Sequence, residues 1–166
     1  GGHTHLAVML TNPETEDLTT KVMQVPIHVT PKDCVPDENL VGNIKKNIKL
    51  MDNWLEKGRA HSDKVIIVSG GDSTDWKHVK ELSRQDNTRV VCVKHSYPHL
   101  LKHGIQPWGC VILDPRPLSG KSTHGVIRKT LFNKVDKNTI FFLASMTNPS
   151  VTRLLKKQGA NLWGWH

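Results

Sequence analysis

The chain repeats one unit: a short β-branched apolar run, a small polar turn, then a segment with helical spacing. Its clearest instance is Val65-Ile66-Ile67-Val68 followed by Ser69-Gly70-Gly71-Asp72-Ser73. Four consecutive apolar β-branched residues read as a buried strand too short to be a helix. Trp76, Val79 and Leu82 then recur at near-helical spacing. A strand, a glycine turn and a helix start direct backbone N–H groups and a positive helix end toward an anion. The same unit recurs downstream. Strands are predicted at 89–93, 110–113, 139–144 and 161–164, with helices at 97–103, near 126–132 and from Pro149. Gly104 and Gly159 fall where helices end. Short apolar strands alternating with helices predict a parallel sheet covered on both faces, a Rossmann-like three-layer α/β sandwich.

Upstream, Leu40, Val41, Ile44, Ile48, Met51 and Leu55 hold helical spacing. They predict a helix from an Asp37 N-cap to Gly58, with Asn43 and Asn47 near the apolar stripe, solvated by default, with contact to the core edge or to a ligand as the alternative. Segments 5–10 and 21–29 look extended, flank the turn Asn12-Pro13-Glu14, and suggest a small N-terminal ribbon with Pro26 at an edge. The chain is therefore divided into an N-terminal extended segment, 1–36, and a Rossmann-like nucleotide-binding domain, 37–166. His3 and His5 share a strand face, but a frayed terminus is the favoured reading over a metal pair.

Charge is uneven. The net charge of +8 conceals −2 over residues 1–83 and +10 over residues 84–166. A basic half attracts polyanions or phosphorylated ligands. No recognised nucleic-acid motif accompanies it, so nucleic acid is not the favoured partner. No run reaches the ~18 apolar residues of a membrane helix. The N-terminus lacks a signal-peptide pattern. Cys34, Cys92 and Cys110 are far apart and odd in number, and read as reduced core thiols. A cytoplasmic protein without membrane partners is expected.

In parallel α/β sheets, ligands bind at the carboxyl ends of the strands. Four such ends are polar: 69–73, 94–96, 114–116 and 145–148. Gly70 and Gly71 allow close backbone approach. Asp72, Ser73 and Thr74 can cap the next helix or bond a ribose. Ser96, Arg116, Thr147 and Asn148 complete the candidate ligand set. Asp114, one of only three acids in the basic half, is the candidate metal ligand and catalytic carboxylate. His95 is a candidate base or phosphate donor. For each of these, a purely structural role is the competing reading. A G-x-G-x-x-G fingerprint is absent. Gly120-Lys121-Ser122 resembles the end of a phosphate loop, but Pro115 stands where its first glycine belongs, which rejects that reading.

The order VSGGDS, VVCVKHSYPHLLKHGIQPWGCVILDP, FFLASMTNPSVTRLLKKQGANLWGW resembles a domain shared by two groups. One is the archaeal 6-hydroxymethyl-7,8-dihydropterin pyrophosphokinases. The other is the bacterial motility accessory factors, linked to glycosylation of flagellin. The matching positions are Gly70 to Ser73, Leu100-Leu101 with Gly104 to Pro107, and Asp114-Pro115. Asp72 departs from the usual proline, and Trp108 stands where an Asp is common. The resemblance implies a transferase that moves diphosphate from ATP or a sugar from a CMP-sugar, with the nucleotide as donor and Mg2+ as the metal. Relatives continue with a further helix and strand, so a homo-oligomer or a completing C-terminal segment is expected to close the site. The alternatives are a non-catalytic Rossmann-like binding module and a basic nucleic-acid-binding protein.

Overall fold

A computed structural model describes residues 4–10, 21–27, 35–58, 62–120 and 125–166. The chain divides into two compact units, Gly1–Asp33 and Cys34–His166. In the first, β1 (Thr4–Leu10) pairs antiparallel with β2 (Lys21–Ile27), Thr4 opposite Ile27 and Leu10 opposite Lys21. This is the expected ribbon. Its two strands each have one unpaired edge, which is where Pro26 is tolerated. His3, the turn at 12–14, Cys34 and Lys121-Ser122 lie outside the described residues, as does the side chain of His5.

The second unit runs α1 (Asp37–Leu50), β3 (Lys64–Val68), α2 (Trp76–Ser83), β4 (Thr88–Val93), α3 (Tyr97–Lys102) and β5 (Gly109–Ile112). A 3₁₀ turn (Lys129–Phe132), β6 (Ile140–Ala144), α4 (Pro149–Lys157) and β7 (Asn161–Trp165) complete it. The five strands form one all-parallel sheet in the order β3-β4-β5-β6-β7. With its flanking helices this is the Rossmann-like α/β fold expected, consistent with a three-layer architecture.

The core follows from period-two alternation. Val68, Val90, Cys92, Cys110, Ile112, Phe141 and Leu143 point to one sheet face and pack with Leu100, Phe132, Val151 and Leu155 in one cluster. Burial of each large aliphatic or aromatic side chain there contributes roughly 1.5–3 kcal/mol. The expectation that Val65–Val68 is a buried strand is corrected: β3 is the edge strand, only its Val68 is buried, and Val65 and Ile67 on its other face stand 55% and 75% exposed. Cys92 lies opposite Cys110 across β4 and β5, and both are buried free thiols. Hydrogen bonding with Cys92, reinforced by burial, pushes the Cys110 thiol well above its ordinary value. Burial raises the Tyr97 hydroxyl to about 12, although its oxygen accepts the Asp136 N–H at 2.8 Å. Gly104 and Gly159 follow α3 and α4 with φ of +68° and +72°, the left-handed ends that glycine adopts without strain.

Three local expectations are corrected. The first helix ends at Leu50, and Met51 is extended. The apolar spacing continues to Leu55, but the backbone joins the sheet instead. The Gly164 N–H donates to Asn53 O at 2.8 Å, and the Leu55 N–H donates to Gly164 O at 2.7 Å. The cap of α1 is Pro36, with no side-chain cap bond, while Asp37 and Glu38 sit in the first turn where negative charge favours the dipole. The predicted helix near 126–132 shrinks to the 3₁₀ turn. The Ile127 N–H instead donates to Pro117 O at 2.8 Å, a bond across the chain that a helix over 126–132 would not make. Among the described residues, no helix is long and apolar enough to cross a membrane.

Candidate functional site

Three consecutive strands end side by side, and their turns are bonded to one another. Ser96, buried in the turn after β4, donates its hydroxyl to Val68 O at the end of β3 (2.8 Å) and accepts the Val93 N–H (3.3 Å). Ser96 therefore aligns the first two turns. After β5, Asp114 is only 3% exposed. Its Oδ1 accepts the Arg116 backbone N–H at 3.0 Å and Nε at 2.9 Å. Its Oδ2 accepts Arg116 Nη2 at 2.8 Å and also Lys94 Nζ. A buried carboxylate thus fixes two cations from neighbouring strand ends.

The fourth strand end is braced from behind. Thr147 is fully buried and donates to Ile112 O at 3.2 Å. Asn148 caps α4 by accepting the Ser150 N–H at 3.0 Å, and its Nδ2 donates to Pro115 O at 3.1 Å. Asn47 is fully buried: Nδ2 donates to Ser145 O and Thr147 O, and Oδ1 accepts the Thr152 hydroxyl. Asn43 donates to Pro115 O and Met146 O. The two asparagines of α1 are structural clamps on the strand-end loops, not solvated residues.

A cleft of ≈ 630 Å³ opens over β3, β4 and β5. Of the predicted residues, Gly70, Gly71, Asp72, His95, Ser96 and Arg116 line it. Asp114 sits behind it, bonded to Lys94 and Arg116, which do line it. Ser73, Thr147 and Asn148 are not among its lining residues. Lys94, which opens the polar strand end 94–96 expected at the site, also lines it, as do Trp76, His99 and Arg128, of which His99 and Arg128 were not expected there.

The source of positive charge differs from the expected one. Asp75, rather than Asp72, Ser73 or Thr74, caps α2, its Oδ1 accepting the His78 N–H at 3.0 Å. The Thr74 hydroxyl bonds back to Gly71 O. The helix end is therefore partly satisfied by its own carboxylate, and the cleft draws its charge from Lys94, Arg116 and Arg128. Burial lowers the His95 pKa below its ordinary value, and the positive charges of Lys94, Arg116 and Arg128 lower it further. His95 is accordingly neutral near pH 7 and able to accept a proton.

Asp114 does not fit the metal role read for it, because Lys94 and Arg116 bond both of its oxygens. Among the described residues, no group of three or more His, Cys, Asp or Glu side chains is placed to hold an ion. Asp72, exposed at the β3 turn, is the carboxylate on the cleft wall.

Compared with curated proteins and with solved structures, the chain gave no match. Compared with family models, residues 38–165 match the one described as 6-hydroxymethylpterin diphosphokinase MptE-like. The matched span begins inside α1 and runs into β7, so it includes every strand end that builds the cleft. The chain belongs to the 6-hydroxymethylpterin diphosphokinase MptE-like family.

Proposed function

We propose that the cleft binds the polyphosphate of a nucleotide donor, ATP, and passes its terminal diphosphate to an acceptor hydroxyl. The observation that carries this reading is the convergence of Lys94, Arg116, Arg128 and neutral His95 beside the glycine turn at the ends of three parallel strands. Phosphate transfer asks a protein mainly for positioning and charge stabilisation. Arg116 and Arg128 offer planar forks suited to phosphate oxygens, and Lys94 offers a compact charge. Gly70 and Gly71 let the chain approach the phosphates.

In this reaction the acceptor oxygen bonds to the β-phosphorus and the bond from that phosphorus to the α–β bridging oxygen breaks. AMP leaves with the bridging oxygen, and the acceptor keeps the β and γ phosphates. The hydroxyl proton goes to His95. The cations stabilise charge that grows on the leaving oxygen. Asp72 is the cleft carboxylate available to hold magnesium carried in on the donor's phosphates, where the ion's chemistry would be to screen their charge.

The test is incubation with ATP and 6-hydroxymethyl-dihydropterin, followed by mass spectrometry. AMP and diphosphorylated pterin in equal amounts support the reading, with loss of both in Arg116→Ala and Arg128→Ala. Tight ATP binding without AMP release would make the domain a binding module. Turnover of a CMP-sugar but not ATP would replace diphosphate transfer with glycosyl transfer.

A further inference from the structure

Two kinds of side chain line the cleft: the cations Lys94, Arg116 and Arg128, and the rings of Trp76, the first residue of α2, and His99 of α3. Trp76 stacks on His103 with centroids 4.7 Å apart and planes 9° apart, and on His99 at 5.9 Å and 19°. His99 and His103 are one helical turn apart, and the His103 ring is tied by Nδ1 to His99 O at 2.8 Å. The three rings are therefore held nearly parallel before any ligand arrives. Trp76 is anchored at the margin of the core cluster, while His99 is exposed. Other tryptophans are engaged away from the cleft: Trp54 against Gly164, Trp108 with Arg89 and Phe142, Trp163 with Asn161.

We infer that Trp76 and His99 form a stacking surface for a planar heteroaromatic ring, a purine or a pterin, in the cleft that the phosphate cations also line. The inference rests on the polyphosphate reading and adds the position of the ring. Parallel aromatic faces attract any flat heterocycle by dispersion and π-stacking, with little demand for a specific hydrogen-bond pattern. Cations and rings in one cleft together match a molecule, or a pair of molecules, in which a heterocycle and a polyphosphate lie side by side.

The experiment is titration calorimetry of the full chain with three probes: ATP, 6-hydroxymethylpterin and inorganic triphosphate, which has no ring. The variants are Trp76→Leu, Trp76→Phe and His99→Ala, the last at an exposed position and checked by circular dichroism. Trp76→Leu and His99→Ala should weaken a ring-bearing probe about 5- to 150-fold, the range for losing one stacked base, while triphosphate affinity stays unchanged. Trp76→Phe should retain most of the ring affinity. Loss for ATP alone places the donor's base on the surface, and loss for the pterin alone places the acceptor there. Unchanged affinity for both ring probes overturns the inference, as does an equal loss for triphosphate, which would mean that Trp76 only supports the fold. Wild-type protein that binds a ring probe but not triphosphate overturns the polyphosphate reading and leaves the stacking surface standing. Wild-type protein that binds none of the three overturns both.

Discussion

Replacing Asp114 with Asn removes one negative charge from a site holding two positive ones. Asp114 is 3% exposed, the Lys94 side chain 12% and the Arg116 side chain 33%. Arg116 can turn part of its guanidinium into water, so its loss is discounted. Lys94 has much less room and loses the Asp114 carboxylate while it stays nearly buried. Breaking a buried pair in this way costs about 3–5 kcal/mol. The exposure of Arg116, and the one acceptor oxygen that Asn retains, bring the expectation to about 2–3 kcal/mol. For a domain of this size the melting temperature should fall by about 10 °C. The assay is urea unfolding followed by circular dichroism, in the wild-type and in a Lys94→Met background. Removal of the cation in advance should cut the cost of Asp114→Asn to below about 1 kcal/mol, because the Lys94 charge is then absent and only Arg116 loses the carboxylate. A loss under about 1 kcal/mol in the wild type, or an equal loss in both backgrounds, would refute the view of Asp114 as the anchor of these cations.

Other perturbations probe the scaffold and the base. Asn47→Ala strands the carbonyls of Ser145 and Thr147 and the Thr152 hydroxyl, and should cost roughly 3 kcal/mol by urea titration. Gly164→Ala places a Cβ 2.6 Å from the Trp54 ring and should cost about 1–3 kcal/mol, relieved when Trp54 is also replaced by Leu. The folded-state pKa of His95 lies below the ordinary 6.5. Between those two values the unfolded chain binds a proton that the folded chain refuses, so stability falls as pH is lowered through that window and is unaffected above it. His95→Gln should flatten that part of the stability–pH curve, and it should also slow diphosphate transfer at neutral pH.

The strands were legible because each is a short, mostly apolar run, and those from β3 to β6 are closed by a polar turn, although on β3 only Val68 is buried. From there the location of a cleft at the strand ends followed. Partnerships across the chain were not legible. Asn47 finds its acceptors about a hundred positions away, so its local setting resembles that of any helix-surface asparagine. The end of α1 was hidden because Leu55 continues the apolar spacing by coincidence, while backbone bonds to Gly164 decide the conformation. Asp75 was hidden among Asp72, Ser73 and Thr74, four adjacent residues that can each cap a helix. Asp114 was singled out correctly as unusual, since acids are scarce in the basic half. Its setting between Lys94 and Arg116 turns the chemistry from holding a metal to holding cations. Arg128 gave no signal, because it lies in an irregular stretch whose position over the cleft depends on the bond from Ile127 to Pro117.

The central claim is that a donor's polyphosphate lies in the cleft over β3, β4 and β5. Amide chemical-shift mapping during ATP titration tests it most directly. The account predicts saturable shifts concentrated at Gly70, Gly71, His95, Arg116 and Arg128, reproduced by inorganic triphosphate and abolished in an Arg116→Ala, Arg128→Ala double variant. Shifts confined to other surfaces, or no saturable shift at millimolar ATP, would contradict it.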